Sequence, residues 1–279
     1  MPELAHVSLN VSNKAENVLL VRQALSGLAE TIGLDAVELN DISTAVSEAC
    51  NNVVVHAYDG EEGPLEVEVF ATGEPLEVIV RDHGVGITLH ERDPEEPAGG
   101  IGLPVIRALS DTADFLDLES GGTEVRMAFV TARPSPLAPL RSAVNGGAVT
   151  DGRRETDMTL LSVGPAPLTR AVLPRILSAL AARAHFSTDR ISDAQLLADA
   201  LVAQVQDSIN GGALTVQISV APRAVELRVG PLPSGLAEQA LGGGAEQGVG
   251  PLLEQLSDGH EILSECSGEV LGLRLSARR

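Results

Sequence analysis

Hydrophobic and polar residues in the first half of the chain follow two periods, one typical of β-strands and one typical of α-helices. Alternating runs predict strands, because successive side chains of a strand point to opposite faces. Apolar residues spaced three and four apart predict helices. The predicted strands cover 5–11, 65–71, 76–81, 113–119 and 123–130, and the predicted helices cover 14–32, 35–57 and 102–110. This order of helices and hairpin strands predicts an α/β fold of the α+β type, a two-layer sandwich.

The periodic pattern stops in residues 132–157, which combine proline, glycine and charge without a repeating spacing. Such a composition is typical of a linker. We therefore expect two domains, residues 1–131 and residues 158–279. A chain of 279 residues is long enough to bury a core in each of them.

The segment after the linker repeats the pattern of the first domain. When the chain is shifted by 152 positions, Leu9 falls on Leu161 and Val53 falls on Val205 without a gap. Further along, with small gaps, the run G-I-G-L-P-V-I-R-A-L-S-D aligns with G-V-G-P-L-L-E-Q-L-S-D. Two unrelated α/β domains could share such patterns by chance, but the sustained register and the matching S-D favour a duplication.

Composition narrows the range of partners. The formal net charge of −20 would repel nucleic-acid phosphates, so small molecules or proteins with basic faces are the expected partners. Lys14 is the only lysine and no G-K-S/T run occurs, which excludes a Walker-type phosphate loop.

No apolar stretch approaches a membrane span, and the start M-P-E-L-A-H has no signal-peptide pattern, so a cytoplasmic protein is expected. Cys50 lies on an apolar helix face and is expected to be a small core residue.

An acid and an amide lie one helical turn apart in the second predicted helix. Glu48 and Asn52 are four residues apart and therefore share a face. An amide oxygen can join phosphate oxygens and waters around Mg²⁺, and a nearby carboxylate can orient or deprotonate a hydroxyl. Taken alone, the pair would be interpreted as a solvated helix face.

Two glycine-containing segments follow. Asp82 ends a strand in D-H-G-V-G, where its carboxylate can accept a hydrogen bond from an exocyclic amine such as that of adenine; an ordinary Asp-Gly turn is the alternative. Glycines such as Gly84 allow the backbone to approach a flat ring. Gly102 begins a predicted helix, and N–H groups at a helix start can bind phosphate; a flexible connection is the alternative. The hydroxyl of Thr123 could reach the base, although threonine is also a common strand former.

Together these motifs resemble the GHKL (HATPase_c) superfamily of ATPases with a Bergerat-like fold, and most closely its anti-sigma regulatory factor and serine-protein kinase branch. The resemblance covers roughly residues 5–130, where all the motifs occur in the family's order. It implies that Glu48 is the catalytic base and that Asn52 is a magnesium ligand. It assigns the pocket for the adenine of ATP to Asp82, Gly84, Gly86 and Thr123, and the phosphate lid to Gly100 and Gly102.

The resemblance implies a cytosolic regulator of transcription, an anti-sigma factor whose Mg²⁺- and ATP-dependent serine/threonine kinase domain binds a sigma factor and phosphorylates an anti-anti-sigma protein. A nucleotide-sensing interaction module without appreciable phosphotransfer is the alternative, because the lid run E-R-D-P-E-E-P-A is acidic and would oppose a triphosphate. The catalytic part of a histidine kinase is disfavoured, since the sequence shows no long helical hairpin with an acceptor histidine before this domain. A purely structural protein is disfavoured because every motif is retained.

The residues that carry the chemistry are replaced in the second half. At the shift of 152, Glu48 meets Ala200 and Asn52 meets Gln204. With small gaps, D-H-G-V-G meets G-P-L-P-S-G, which contains no acid. We therefore expect a degenerate GHKL-like domain, the second of a tandem pair, that retains packing without phosphoryl transfer. Single-domain relatives commonly pair as homodimers, so we expect the two halves to pair within one chain as a pseudo-dimer.

Overall fold

The computed structural model describes residues 6–85, 102–132, 158–205, 212–243 and 250–277. The strands are β1 (His6–Ser12), β2 (Pro64–Phe70), β3 (Leu76–Asp82), β4 (Thr112–Asp117), β5 (Thr123–Phe129), β6 (Met158–Gly164), β7 (Leu214–Ala221), β8 (Ala224–Leu232), β9 (Gly259–Glu265) and β10 (Gly268–Ser276). The helices are α1 (Val18–Ile32), α2 (Ala36–His56), α3 (Gly102–Leu109), α4 (Ala166–Arg183), α5 (Thr188–Val205), α6 (Leu236–Glu238) and α7 (Gly250–Leu256).

Local chemistry sets the ends of the two long helices of the first half. The side chain of Asp35 accepts hydrogen bonds from the N–H groups of Val37 and Glu38, and the Glu38 side chain accepts one from the N–H of Asp35 in return. This capping box starts α2. Gly33 ends α1 with a φ of 77°, a left-handed conformation that favours glycine. The predicted helix over 14–32 is divided, because residues Ala15–Asn17 form a 3-10 turn before α1 begins.

The strands of the described residues form one antiparallel sheet in the order β4-β5-β3-β2-β1-β6-β7-β8-β10-β9. β1 and β6 pair at its centre, with Leu9 directly opposite Leu161. From this pair outward, both sides of the sheet follow the same order of strands. The two residues that the sequence shift equates are thus direct partners, so β1 and β6 are related as by a two-fold axis that passes between Leu9 and Leu161.

The helices cover one face of the sheet, and the core lies between the two layers. Alternate residues of the central strands point into this core, and all are at most 2% exposed: Val7, Leu9 and Val11 in β1, and Leu161 and Val163 in β6. Cys50 is completely buried in α2, and burial raises the pKa of its thiol to about 12, which agrees with its predicted place in the core. The protein is therefore a mixed α/β molecule with a large antiparallel sheet, which confirms the predicted α/β class.

The helices α1 and α4 pack against one another beside the β1–β6 pair. A Cβ placed on Gly27 of α1 would lie 2.7 Å from the carbonyl oxygen of Ala171, so the helices are too close for a side chain at this position. Arg183 donates a hydrogen bond to Asn17 Oδ1 at 2.6 Å, and Arg175 forms an ion pair with Glu30. These contacts join the first half of the chain to the second.

Within the described ranges, none of the helices combines the length and the apolar character needed to cross a membrane.

Candidate functional site

Three of the predicted residues converge where α2 meets the start of α3. A Cβ placed on Gly102, the first residue of α3, would lie 3.2 Å from Glu48 Oε2 and 3.3 Å from Asn52 Oδ1. Both side chains are partly exposed, and α3 packs on α2 through the fully buried Ile106. The structure therefore places an acid and an amide together beside a helix N-terminus, whose unpaired N–H groups favour anionic groups.

The end of β3 is held in a defined path by short backbone contacts. Asp82 is 2% exposed, and its Oδ1 accepts a hydrogen bond from the N–H of Gly84 at 2.9 Å. The N–H of Val85 donates to the carbonyl of Ala57, just beyond the end of α2, at 2.9 Å. A Cβ on Gly84 would lie 1.8 Å from that same carbonyl oxygen, so this position requires glycine. The contacts orient the Asp82 carboxylate at the strand end.

Thr123 lies on the strand next to Asp82. It begins β5, which pairs with β3, and it is also 2% exposed. Gly122 precedes it with a φ of 96°, and a Cβ there would lie 2.1 Å from the carbonyl oxygen of Asp82. The sequence reasoning assigned no role to Gly122, although its place in the S-G-G turn was a usable signal. Asp82 and Thr123 thus occupy adjacent strand ends.

Two predicted residues, Gly86 and Gly100, lie outside the described residues, as does the acidic run between them. Their assignment to the base pocket and the phosphate lid stays a prediction.

The guanidinium of Arg107, on α3, lies 5.3 Å from the ring centroid of Phe115, a cation–π contact with β4.

An ion-pair network lies behind Asp82 and Thr123, on the opposite face of the sheet. Arg81 donates hydrogen bonds to Glu68 and Glu124, and Arg126 also donates to Glu124. Burial alone would raise the pKa of Glu124, but the hydrogen bonds from Arg81 and Arg126 outweigh it, so this pKa lies below its ordinary value of 4.5. The network ties β2, β3 and β5 together.

Glu124→Gln should lower the free energy of unfolding by roughly 2 kcal/mol at pH 7, because it removes a charged acceptor that both Arg81 and Arg126 share. Since the folded-state pKa of Glu124 is lowered, its contribution is fully present above pH 4.5 and is lost as the pH falls through that lower value. The difference between wild type and variant should therefore shrink on acidification below pH 4.5. Urea denaturation at several pH values measures this, with the exposed Glu77→Gln as control. A difference that is independent of pH would contradict it.

In the second half, apolar side chains pack around α5, the helix that the sequence shift equates with α2. Ala200 and Gln204 occupy the positions on α5 that the sequence shift equates with Glu48 and Asn52. α6 continues into a π-helical turn, Gln239–Gly243, which packs against both α5 and α7. This segment buries four residues to 8% exposure or less: Leu236, Ala237, Ala240 and Leu241. Apolar side chains of the turn Gln239–Gly243 therefore pack against α5.

Comparison with known proteins shows which family the first half of the chain matches. Residues 11–129 match the histidine kinase-like ATPase domain family. The serine-protein kinase RsbW of Bacillus pumilus is 32% identical over 139 residues, which cover 44% of this chain and 85% of that protein. The anti-sigma F factor of Clostridium kluyveri is 29% identical over 123 residues, covering 41% and 87%. The crystal structure of the RsbU and RsbW domains of a Mycobacterium tuberculosis protein aligns with a TM-score of 0.34 at 23% identity, covering 48% of this chain and 34% of that one.

The first half is thus an ATPase-like domain of the histidine kinase type, with the acid, the amide and the strand-end aspartate of the motifs. The chain belongs to the GHKL superfamily, in its branch of anti-sigma factors and serine-protein kinases. This confirms the resemblance found in the sequence. The similarity to these relatives covers less than half of this chain and does not describe its second half.

Proposed function

We propose that the protein is an anti-sigma regulator whose first half binds Mg-ATP, binds a sigma factor and phosphorylates a serine or threonine of an anti-anti-sigma protein. The convergence of Glu48 and Asn52 on the first residue of α3 is the main support for this proposal. The relatives named anti-sigma F factor and serine-protein kinase RsbW support the choice of partner and substrate.

Each polar group of the site has a role that fits its position. Asn52 would hold Mg²⁺ together with phosphate oxygens and waters, and the ion would neutralise charge on the transferred phosphoryl group. Glu48 would accept the proton of the attacking hydroxyl. Asp82 would accept a hydrogen bond from the adenine amine, beside Thr123. The backbone at Gly102 would approach the phosphates where a side chain would meet Glu48 and Asn52.

Calorimetry and a capture experiment test the proposal in sequence. The full chain should bind one Mg-ATP or Mg-ADP, and a folded sample that gives no heat with either would contradict it. Capture from the native cell with ATP or ADP present, read by mass spectrometry, should then recover a sigma factor or a small anti-anti-sigma-like protein. The captured protein should acquire the γ-phosphate when it is incubated with the chain and Mg-ATP.

A nucleotide-sensing interaction module is the second candidate. The acids of the run E-R-D-P-E-E-P-A support it, because like charges oppose a triphosphate. The two candidates agree on binding and differ on transfer. Nucleotide-dependent capture of a partner without phosphate transfer to it would favour the sensing module over the kinase.

We further propose that the second half is a degenerate copy of the first and pairs with it as an intramolecular pseudo-dimer. The same sequence of elements recurs, strand-helix-helix-strand-strand before the region of the site and helix-strand-strand after it, with α6 as the addition in the second half. The symmetric sheet order, the partnership of Leu9 with Leu161 and the packing of α1 on α4 support this relation. The face through which single-domain relatives pair would then be occupied within one chain.

A designed disulfide tests whether the halves pair within one chain. Ser8 and Ser162 are direct partners in the β1–β6 ladder, close enough for a disulfide between cysteines at these positions. In a Cys266→Ser background, the variant with Ser8→Cys and Ser162→Cys should oxidise to a disulfide within one chain. The oxidised protein should therefore keep the size of a single chain, 28.9 kDa. Each single cysteine variant is the control. A disulfide-linked species of twice that mass as the main product would contradict pairing within the chain.

A further inference from the structure

A single hydroxyl connects three elements beside Asp82. Tyr58 is the only tyrosine of the chain and lies two residues beyond the end of α2. Its hydroxyl accepts a hydrogen bond from the N–H of His83 at 2.8 Å and donates one to the carbonyl of Pro64 at 2.6 Å. Through this group the end of α2 contacts both the start of β2 and the residue that follows β3.

The register of the sheet shows what this hydroxyl replaces. The β2–β3 ladder runs in register until Leu65 pairs with Asp82, so Pro64 and His83 would be the next partners. In a continued ladder their carbonyl and N–H would face each other as backbone groups. The Tyr58 hydroxyl instead lies between this carbonyl and this N–H and bonds to both. It therefore separates the strands by one side-chain oxygen immediately after Asp82.

Beyond this point the chain from β3 runs along the end of α2. The N–H of Val85 bonds to the carbonyl of Ala57, and Gly84 lies too close to that carbonyl for a side chain. The Tyr58 ring also packs on glycine, because a Cβ on Gly63 would lie 2.2 Å from its Cε1 atom. Gly63 thus fixes the position of the ring, and the contacts with Ala57 fix the path of residues 83–85.

We propose that Tyr58 is a positioning residue for the base pocket: its hydroxyl directs the chain after Asp82 away from β2 and toward α2, and so fixes the orientation of the Asp82 carboxylate. The Asp82 Oδ1 bond to the N–H of Gly84 depends on this path, since Gly84 follows His83 directly. This inference rests on the proposed nucleotide site. In this role Tyr58 would act through the backbone at His83 and Pro64, and not by direct contact with the nucleotide.

Tyr58→Phe in the full chain is the test, because it removes the hydroxyl and keeps the ring on Gly63. His83 N–H and Pro64 C=O then lose their partner or bond directly to each other, and either outcome moves the segment after Asp82. The variant should bind Mg-ATP about tenfold more weakly than wild type, which corresponds to one hydrogen bond of roughly 1.4 kcal/mol. Its affinity for Mg-ITP, whose base lacks the exocyclic amine that Asp82 would contact, should change less than about twofold.

The ratio of ATP to ITP affinity separates positioning from general stability. Thr169→Val is the matched control, because it removes a buried hydroxyl that bonds to Val163 and Pro165 carbonyls in the second half. This control should lower the melting temperature and leave the ratio unchanged. A folded Tyr58→Phe chain with the wild-type ratio would overturn the positioning role alone. A wild-type chain that binds neither nucleotide would overturn the proposed function and the positioning role together.

Discussion

Glu48→Gln should reduce phosphate transfer to the protein substrate by about 10²- to 10⁴-fold, the range that a positioned general base contributes. The amide keeps the size of the side chain beside Gly102 but cannot accept the proton of the attacking hydroxyl. ATP affinity should change less than about threefold, because a base acts in the transition state and not in holding the nucleotide. The expected pattern is therefore a loss of rate without a loss of binding.

Single-turnover transfer at saturating Mg-ATP measures the rate, and calorimetry measures the binding. Glu77→Gln is the matched control. It makes the same chemical change at an exposed residue of β3 that lies away from the site. Equal single-turnover rates for wild type and Glu48→Gln, on a substrate verified with wild type, would remove Glu48 from the proposed mechanism. If ATP affinity and transfer rate fell by the same factor, Glu48 would contribute to nucleotide binding and not specifically to the transition state.

Local patterns were sufficient for the elements that carry the site. The strand that ends at Asp82 was predictable because its side chains alternate, and the helix that carries Glu48 and Asn52 because its apolar spacing is regular. A spacing of four then placed both side chains on one face without knowledge of the rest of the fold. Their approach to Gly102 came from the resemblance, since residues 52 and 102 are far apart in the chain.

Contacts between distant residues were harder to predict. The roles of Tyr58 and Gly122 depend on how one strand end meets another segment, and no local period reports such a meeting. The packing around α5 in the second half was hard to predict for the same reason. The sequence shows Ala200 at the position that the shift equates with Glu48, but the packing of the turn Gln239–Gly243 against α5 depends on the folded path of that segment. The sequence shows which residues the shift equates with the motif and not which side chains pack around α5.

Asp82→Asn should invert the base preference of the site. In wild type the buried carboxylate only accepts hydrogen bonds, so it favours the exocyclic amine of ATP over the carbonyl at the same position of ITP. In the variant, the asparagine oxygen can keep the bond to the N–H of Gly84, which turns the amide nitrogen toward the base. That nitrogen donates, so it opposes the amine of ATP and matches the carbonyl of ITP. ATP affinity should fall about 10²-fold, corresponding to roughly 3 kcal/mol, while ITP affinity rises.

Calorimetry of the full chain with Mg-ATP and Mg-ITP measures both affinities. Asp199→Asn is the control, because Asp199 lies on α5 beside Ala200, in the half that we propose binds no nucleotide. It should keep one ATP per chain at wild-type affinity, whereas Asp82→Asn should leave no ATP site of that affinity. If Asp82→Asn still binds one ATP at wild-type affinity, either Asp82 does not contact the base or the second half holds the site. A fall in affinity with Asp199→Asn would identify the second half.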